Sequence, residues 1–240
     1  MSDFKYIFFD CMETLIDLHV LPTTREYAAW AFEGSGVEEH WEDFDAFYRY
    51  YMLSRQELRS QLPELSDYEI RMRFLHLIEL SLPGLEYSRV EAVADSLRKN
   101  YWRNYKAVCY LRQDVQAALH GLGKLLKLGV VSNFMVMGGI QELLEMTGIR
   151  EYFEFVVVSV EEGFIKPHPA IYGKALQLAG VMPEQVIFVG DDYINDYVKP
   201  TELGMYTVCL DRYGKHADLE RRVRDFSELE ALVGRIAGRT

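Results

Sequence analysis

Four polar clusters in this chain stand just past apolar runs. Asp10 follows Tyr6-Ile7-Phe8-Phe9, Ser132-Asn133 follow Gly129-Val130-Val131, Lys166-Pro167 lie a few residues past a run ending at Val158, and Gly190-Asp191-Asp192 follow Val189. A carboxylate at the end of a buried run is costly unless something holds it. Asp10 is therefore a candidate nucleophile or metal ligand, the alternative being a carboxylate that only caps the next turn. Taken singly, a Ser-Asn pair reads as a turn and a lone lysine as surface. Gly190-Asp191-Asp192 says more, because adjacent carboxylates repel unless a cation or a lysine stands between them. If the four clusters meet, they bring together an attacking oxygen, hydroxyl and amide donors, a positive charge and an acidic pair. Displacement at phosphorus or carbon requires that set.

The elements that must bring them together are legible as apolar runs alternating with helical patterns. Strands are predicted over 6–9, 129–132, 155–158, 185–189 and 206–210. Helices are predicted over 113–127, with Gly129 as its C-terminal stop, over 139–147, 169–179 and 194–203, and over 227–236. Strands alternating with helices mean βαβ units and a parallel sheet. In such sheets ligands bind at the carboxyl ends of the strands. Pro200 falls inside one predicted helix. Proline is tolerated only in a first turn, so that helix is kinked or starts late.

Between Pro22 and Lys106 the pattern is helical and aromatic, with no strand. One helix opens near Thr24 with a Thr cap, a second runs over 43–61, and a third follows Ser66-Asp67-Tyr68-Glu69, which resembles a capping box. A last helix spans 88–105. An all-helical block inserted after the first strand reads as a cap domain. The expected division is an α/β core over 1–17 and 107–240, doubly wound around a parallel sheet, and a helical cap over 18–106. The cap aromatics read mainly as core.

The chain has 240 residues, 49 % of them hydrophobic, and a net charge of −11. That acidity argues against a nucleic acid or an anionic membrane as partner. Cys11, Cys109 and Cys209 are odd in number and widely spaced, which is no disulfide framework and suits buried thiols in a reducing compartment. Asp3 and Lys5 interrupt any signal-peptide pattern, and no apolar stretch reaches the length of a bilayer span. A cytoplasmic protein acting on a small molecule is expected.

The ordered set Asp10…Thr14-Leu15…Asp17, Ser132-Asn133, Lys166-Pro167 and Gly190-Asp191-Asp192…Asn195-Asp196 resembles the haloacid dehalogenase (HAD) superfamily, and the helical insert is similar to its C1-type cap. The resemblance covers Lys5 to Leu210. It implies Asp10 as nucleophile, with Ser132 and Asn133 contacting the transferring group and Lys166 balancing charge. It also implies Mg2+ held by Asp10, the Met12 carbonyl and Asp191, with Asp192 and Asp196 as a ligand or a supporting group.

One departure bears on the reaction. Phosphatases of that superfamily carry Asp-x-Asp-Gly-Thr, whose second Asp protonates the leaving group and then activates water. Here the position is Met12, which transfers no proton, and the usual Gly is Glu13. General acid–base help is typically worth a factor of about 10²–10⁴. The resemblance therefore implies a Mg2+-dependent hydrolase of a small phosphorylated metabolite, with Glu13 or a water in place of the acid. An acyl phosphate or phosphoanhydride leaves with little protonation and would tolerate Met12. Two other readings stand beside it. One is a metal-free C–halogen hydrolase, for which Arg55 and Arg59 lie in the right region for halide. The other is a non-catalytic protein that binds phosphate and metal for regulation. An imine-forming phosphonate hydrolase fits poorly, because the insert carries only Lys99 and Lys106, both near its end.

Overall fold

The computed structural model describes residues 3–238. The chain opens with β1 (Tyr6–Phe9) and β2 (Ile16–Leu18). Four helices follow: α1 (Thr24–Phe32), α2 (Phe44–Gln61), α3 (Ile70–Ser81) and α4 (Tyr87–Val108). Then come β3 (Cys109–Leu111), α5 (Gln113–Leu125), β4 (Lys127–Ser132), α6 (Gly139–Met146), β5 (Phe153–Val158), α7 (Ser159–Glu162) and α8 (Pro169–Ala179). The chain finishes with β6 (Val186–Gly190), a π-helical turn (Tyr193–Val198), α9 (Lys199–Glu202), β7 (Tyr206–Leu210), β8 (Arg222–Val223) and α10 (Phe226–Ile236). It folds as two compact units, one made of the segment up to Leu18 and that from Tyr110 onward, the other of His19–Cys109.

The first unit is an α/β core around a six-stranded parallel sheet in the order β5-β4-β1-β6-β7-β8. β1 is the switch point. The chain builds β4 and β5 outward on one side of it, then returns to build β6, β7 and β8 on the other. Both faces of β1 are covered, which is why its sequence is an unbroken apolar run rather than an alternating one. Tyr6 and Phe8 pack with Phe155, Ile171, Tyr172 and Phe188. Phe9 stacks on Phe226 of α10 with ring centroids 5.9 Å apart.

Several expected boundaries move, each for a visible reason. α5 ends at Leu125, and β4 begins at Lys127, paired with Tyr6. Gly129 thus lies inside a strand, as the predicted strand over 129–132 has it, and does not stop the helix. A Cβ there would lie 2.4 Å from the Phe155 ring, so the glycine makes room for that ring across the β4–β5 pair. The predicted helix over 194–203 is a π-helical turn followed by α9, with Pro200 in the first turn of α9, the only part of a helix that tolerates it. The short strands β2, β3 and β8, two or three residues each, are too short to carry a periodic signal in the sequence.

The second unit is all-helical. α1 starts on a capping box between Thr23 and Glu26. α3 is capped by Glu69, whose carboxylate accepts from the Arg71 N–H. Ser66 instead donates its hydroxyl to the Pro63 carbonyl, so the expected capping box is not formed. The aromatics are core: Phe47 and Phe74 are fully buried, Tyr51 almost so, and Phe32, Trp41 and Phe47 pack ring to ring. The buried Arg73 donates to the Tyr51 and Tyr68 hydroxyls at 3.0 and 2.9 Å. Among the described residues no helix is long and apolar enough to cross a membrane.

Candidate active site

Parallel pairing of β4, β1 and β6 puts Ser132, Asp10 and Asp191 at one edge of the sheet, where the strand order reverses. Asp10 extends β1 by one bond, its N–H donating to the Val189 carbonyl at 2.9 Å. Ser132 closes β4, and its hydroxyl donates to Asp10 Oδ1 at 3.3 Å. Gly190 ends β6 and delivers Asp191.

Lys166 arrives from the segment after α7, and its Nζ donates to Asp10 Oδ1 at 2.7 Å and to Asp196 Oδ1 at 2.6 Å. Its side chain is 2 % exposed, so these are charge-assisted bonds away from bulk water. Asn133 fixes the lysine's backbone. Its Oδ1 accepts from the Lys166 N–H at 2.6 Å, and its Nδ2 donates to the Lys166 carbonyl at 3.0 Å. The carboxamide expected to touch substrate is thus engaged at both ends by the lysine segment.

The acidic side is built by the π-helical turn. Asp192 Oδ1 accepts from the N–H groups of Ile194 and Asn195 at 3.0 and 2.8 Å, so this carboxylate caps the turn. The turn swings Asp196 back under the end of β6, where its Oδ2 accepts from the Asp192 N–H at 3.1 Å. The close approach requires Gly190, because a Cβ there would lie 2.3 Å from Asp196 Oδ2. Carboxylate oxygens of Asp10, Asp191 and Asp196 lie within 4.8 Å of one another and could hold a cation. Thr14 adds its hydroxyl to Asp191 Oδ1 at 3.4 Å.

Three carboxylates around one ammonium leave a surplus of negative charge. Burial, and after it the charge of Asp10, pushes the Asp191 carboxyl up to about 7. Burial pushes Asp196 up to about 8, against the opposing pull of Lys166. Burial works against the charge of Lys166, but Asp10 and Asp196 outweigh it and hold its pKa above the ordinary lysine value.

The turn after Asp10 carries Met12 and Glu13. The Cys11 carbonyl accepts from the N–H groups of Thr14, Leu15 and Ile16 at 3.3, 2.8 and 3.0 Å. Glu13 sits at φ 58°, in the left-handed region, and its Oε1 accepts from the Leu18 N–H at 3.2 Å. Burial pushes its carboxyl above the ordinary value, the Leu18 bond working the other way. Arg212, two residues past β7, holds the same turn and escaped notice in the sequence. The available signal was its position, since it too is a polar residue just beyond the carboxyl end of an apolar run.

Comparison with known proteins bears on this geometry. A family model for haloacid dehalogenase-like hydrolases matches residues 4–197. The chain is 30% identical over 233 residues to a glyceraldehyde 3-phosphate phosphatase of Pyrococcus furiosus, covering 95% of this chain and 89% of that protein. It is 30% identical over 241 residues to haloacid dehalogenase-like hydrolase domain-containing protein 3 of Mus musculus, with 95% and 89% covered. It matches the crystal structure of a 2-haloacid dehalogenase from Pseudomonas syringae pv. Tomato DC3000 with a TM-score of 0.78. That match covers 97% of this chain and 99% of the other at 22% identity, a likeness of fold alone.

Proposed function

The chain belongs to the haloacid dehalogenase-like hydrolases, and from that membership we propose that it hydrolyses a small phosphorylated metabolite with Asp10 as nucleophile. The observation that carries this reading is Lys166, whose ammonium bridges Asp10 and Asp196 while Asp191 stands within reach of both. Buried carboxylates in excess of their counter-charge, all offering hard oxygen donors, fit a divalent cation such as Mg2+. Asp10, Asp191, Asp196 and the Met12 carbonyl would hold it, and it would supply charge neutralisation at the phosphoryl oxygens. Of the two further aspartates expected as ligand or support, Asp192 caps the π-helical turn, which supports Asp196 as the one in the set.

Asp10 attacks phosphorus, the bond to the leaving-group oxygen breaks, and that oxygen takes a proton from Glu13. Lys166 and Ser132 keep the attacking carboxylate oriented throughout. Water then attacks the phosphorus of the aspartyl phosphate and gives a proton to Glu13. Inorganic phosphate leaves, and Asp10 and Glu13 return to their starting states. What supports Glu13 as the acid is its raised pKa and its position in the same turn as Asp10. Burial that favours the neutral carboxyl moves this group in the direction a proton donor needs.

The test is hydrolysis of glycerol 3-phosphate and acetyl phosphate with Mg2+ and with EDTA. Asp10→Asn should abolish turnover of both substrates. Glu13→Gln should slow glycerol 3-phosphate, whose alkoxide must be protonated as it leaves, by about 10²–10⁴-fold, the usual worth of a positioned acid–base group. It should slow acetyl phosphate less, because the first leaving group of that substrate needs little protonation. Unchanged turnover in Asp10→Asn, or halide release from 2-haloacids in EDTA, would overturn the reading.

A further inference from the structure

The guanidinium of Arg212 is anchored on the turn that follows Asp10. Nη1 donates to the Glu13 carbonyl at 2.9 Å and to Asp17 Oδ1 at 2.6 Å, and Nη2 donates to the Thr14 carbonyl at 2.8 Å. The side chain is 8 % exposed. Its partners are 195 to 199 residues away in sequence, so these bonds form only once β1 and β7 share the sheet. The anchor is itself braced. Arg112 Nη1 reaches Asp17 Oδ2 at 3.8 Å and its Nε donates to Asp114 Oδ1 at 2.9 Å, while Asp114 Oδ2 accepts from the Phe226 N–H at 3.4 Å at the start of α10.

The gripped turn needs such a hold. Glu13 adopts a left-handed conformation that residues with a side chain rarely take. The same few residues carry the Met12 carbonyl, the Glu13 carboxyl and the Thr14 hydroxyl, which donates to Asp191. Any shift of the Glu13 and Thr14 peptides therefore moves three groups relative to Asp10 at once.

We propose that Arg212 is a positioning residue for the reaction: by binding two successive carbonyls and Asp17, it sets the Asp10 turn in the geometry that attack on substrate requires. The proposal rests on Asp10 being the nucleophile. Arginine suits the task because one planar group reaches three acceptors with two nitrogens. A lysine ammonium keeps the charge but offers no rigid fork. Arg212 touches no reacting atom in this scheme, so its loss acts on the rate of the chemical step rather than on binding.

The full-length wild type is compared with Arg212→Lys and Arg212→Met by two readouts. The first is hydrogen exchange of the amides at 13–16 against those of β1. The second is steady-state hydrolysis of p-nitrophenyl phosphate with Mg2+. In Arg212→Met the turn amides should exchange at least about tenfold faster while β1 keeps its protection, the mark of local opening. The kcat should fall about 10²-fold, the scale of a small misplacement of reacting groups. KM should stay within about threefold, as for loss of an interaction realised in the transition state. Arg212→Lys should recover only part of the loss. Unchanged exchange overturns the proposal, as does faster exchange with unchanged kcat, or equal loosening of the turn and β1. If the wild type hydrolyses no phosphate ester, the phosphatase reading falls, and exchange alone decides whether Arg212 sets the turn.

Discussion

Lys166 faces Asp10 and Asp196 at once, and the two carboxylates respond differently to its loss than it does to theirs. Removing the ammonium in Lys166→Met leaves buried like charges together, a change that typically costs about 3–5 kcal/mol. Removing one carboxylate in Asp10→Asn relieves the surplus and leaves the Lys166–Asp196 bond of 2.6 Å intact. In EDTA, Lys166→Met should melt well below the wild type, while Asp10→Asn should melt at or above it. Equal melting temperatures in the three proteins would mean that the cluster carries no surplus. The same surplus has a pH signature. Asp191 and Asp196 titrate in the folded state at about 7 and about 8, against 3.8 for an ordinary aspartate. Between those limits the folded chain holds more protons than the unfolded one. Their contribution to stability is therefore full below about pH 4 and is lost as pH rises toward 8. Thermal melts across that range in EDTA should fall with pH. Mg2+ should flatten the fall and raise the melting temperature, by about 2.7 kcal/mol of stability at a concentration one hundred times its Kd. A profile in EDTA that is already flat would contradict this. Asp10, Ser132 and Asp191 are legible at this scale because each ends or follows an apolar run, and Lys166 because it falls in order among them. The two-ended engagement of Asn133 and the grip of Arg212 are not, because a hydrogen bond across the sheet leaves no mark on local sequence.

At the scale of elements, the π-helical turn after β6 decides which carboxylate joins the cluster. Its widened winding lets Asp192 cap the turn and returns Asp196 against the end of the strand. Gly190 is the position that permits the approach. In Gly190→Ala the new methyl meets the whole Asp196 carboxyl group, with Oδ2 at 2.3 Å and Cγ at 2.4 Å, so Asp196 must leave Lys166. This variant should lose Mg2+-induced stabilisation and turnover together. Gly173, inside α8, is the control. A Cβ there meets nothing within 4 Å, and helix propensity favours Ala over Gly by about 1 kcal/mol. Gly173→Ala should therefore melt higher by about 2–4 °C with unchanged activity. A Gly190→Ala protein that still responds to Mg2+ would show that Asp196 is not needed for the cation. Glycines of the two kinds look alike in sequence. Gly129 reads both as a helix stop and as the start of a strand, and it lies within β4, where Phe155 fills the space a Cβ would take. Pro200 does carry its own signal, because a missing N–H and a fixed φ confine it to a first turn in any fold.

At the scale of the whole chain, two compact units share one polypeptide, and the helical unit is inserted where β2 ends and β3 begins. β2 and β3 pair with each other, so the chain leaves the α/β unit and re-enters it at neighbouring strands. Replacing residues 19–109 with a short turn should leave a core that unfolds cooperatively and keeps its α/β circular dichroism, as domains with their own core do. Loss of cooperative unfolding in that protein would show that the core depends on the insert. The longer elements and the class of fold are legible in the sequence, while β2, β3, β8 and the π-helical turn are not. Apolar runs and helical periods are set by what each residue contacts within a turn or across a strand, and alternation of the two leaves parallel βαβ units as the economical topology. The sequence also singles out Asp10, Ser132, Lys166 and Asp191, which the fold brings together. Tertiary structure alone decided that Asp196 rather than Asp192 turns inward, that Asn133 holds the Lys166 backbone, and that Arg212 grips the Asp10 turn. Each of those depends on distances between residues far apart in the chain. Such distances are fixed only when the strands take their order in the sheet.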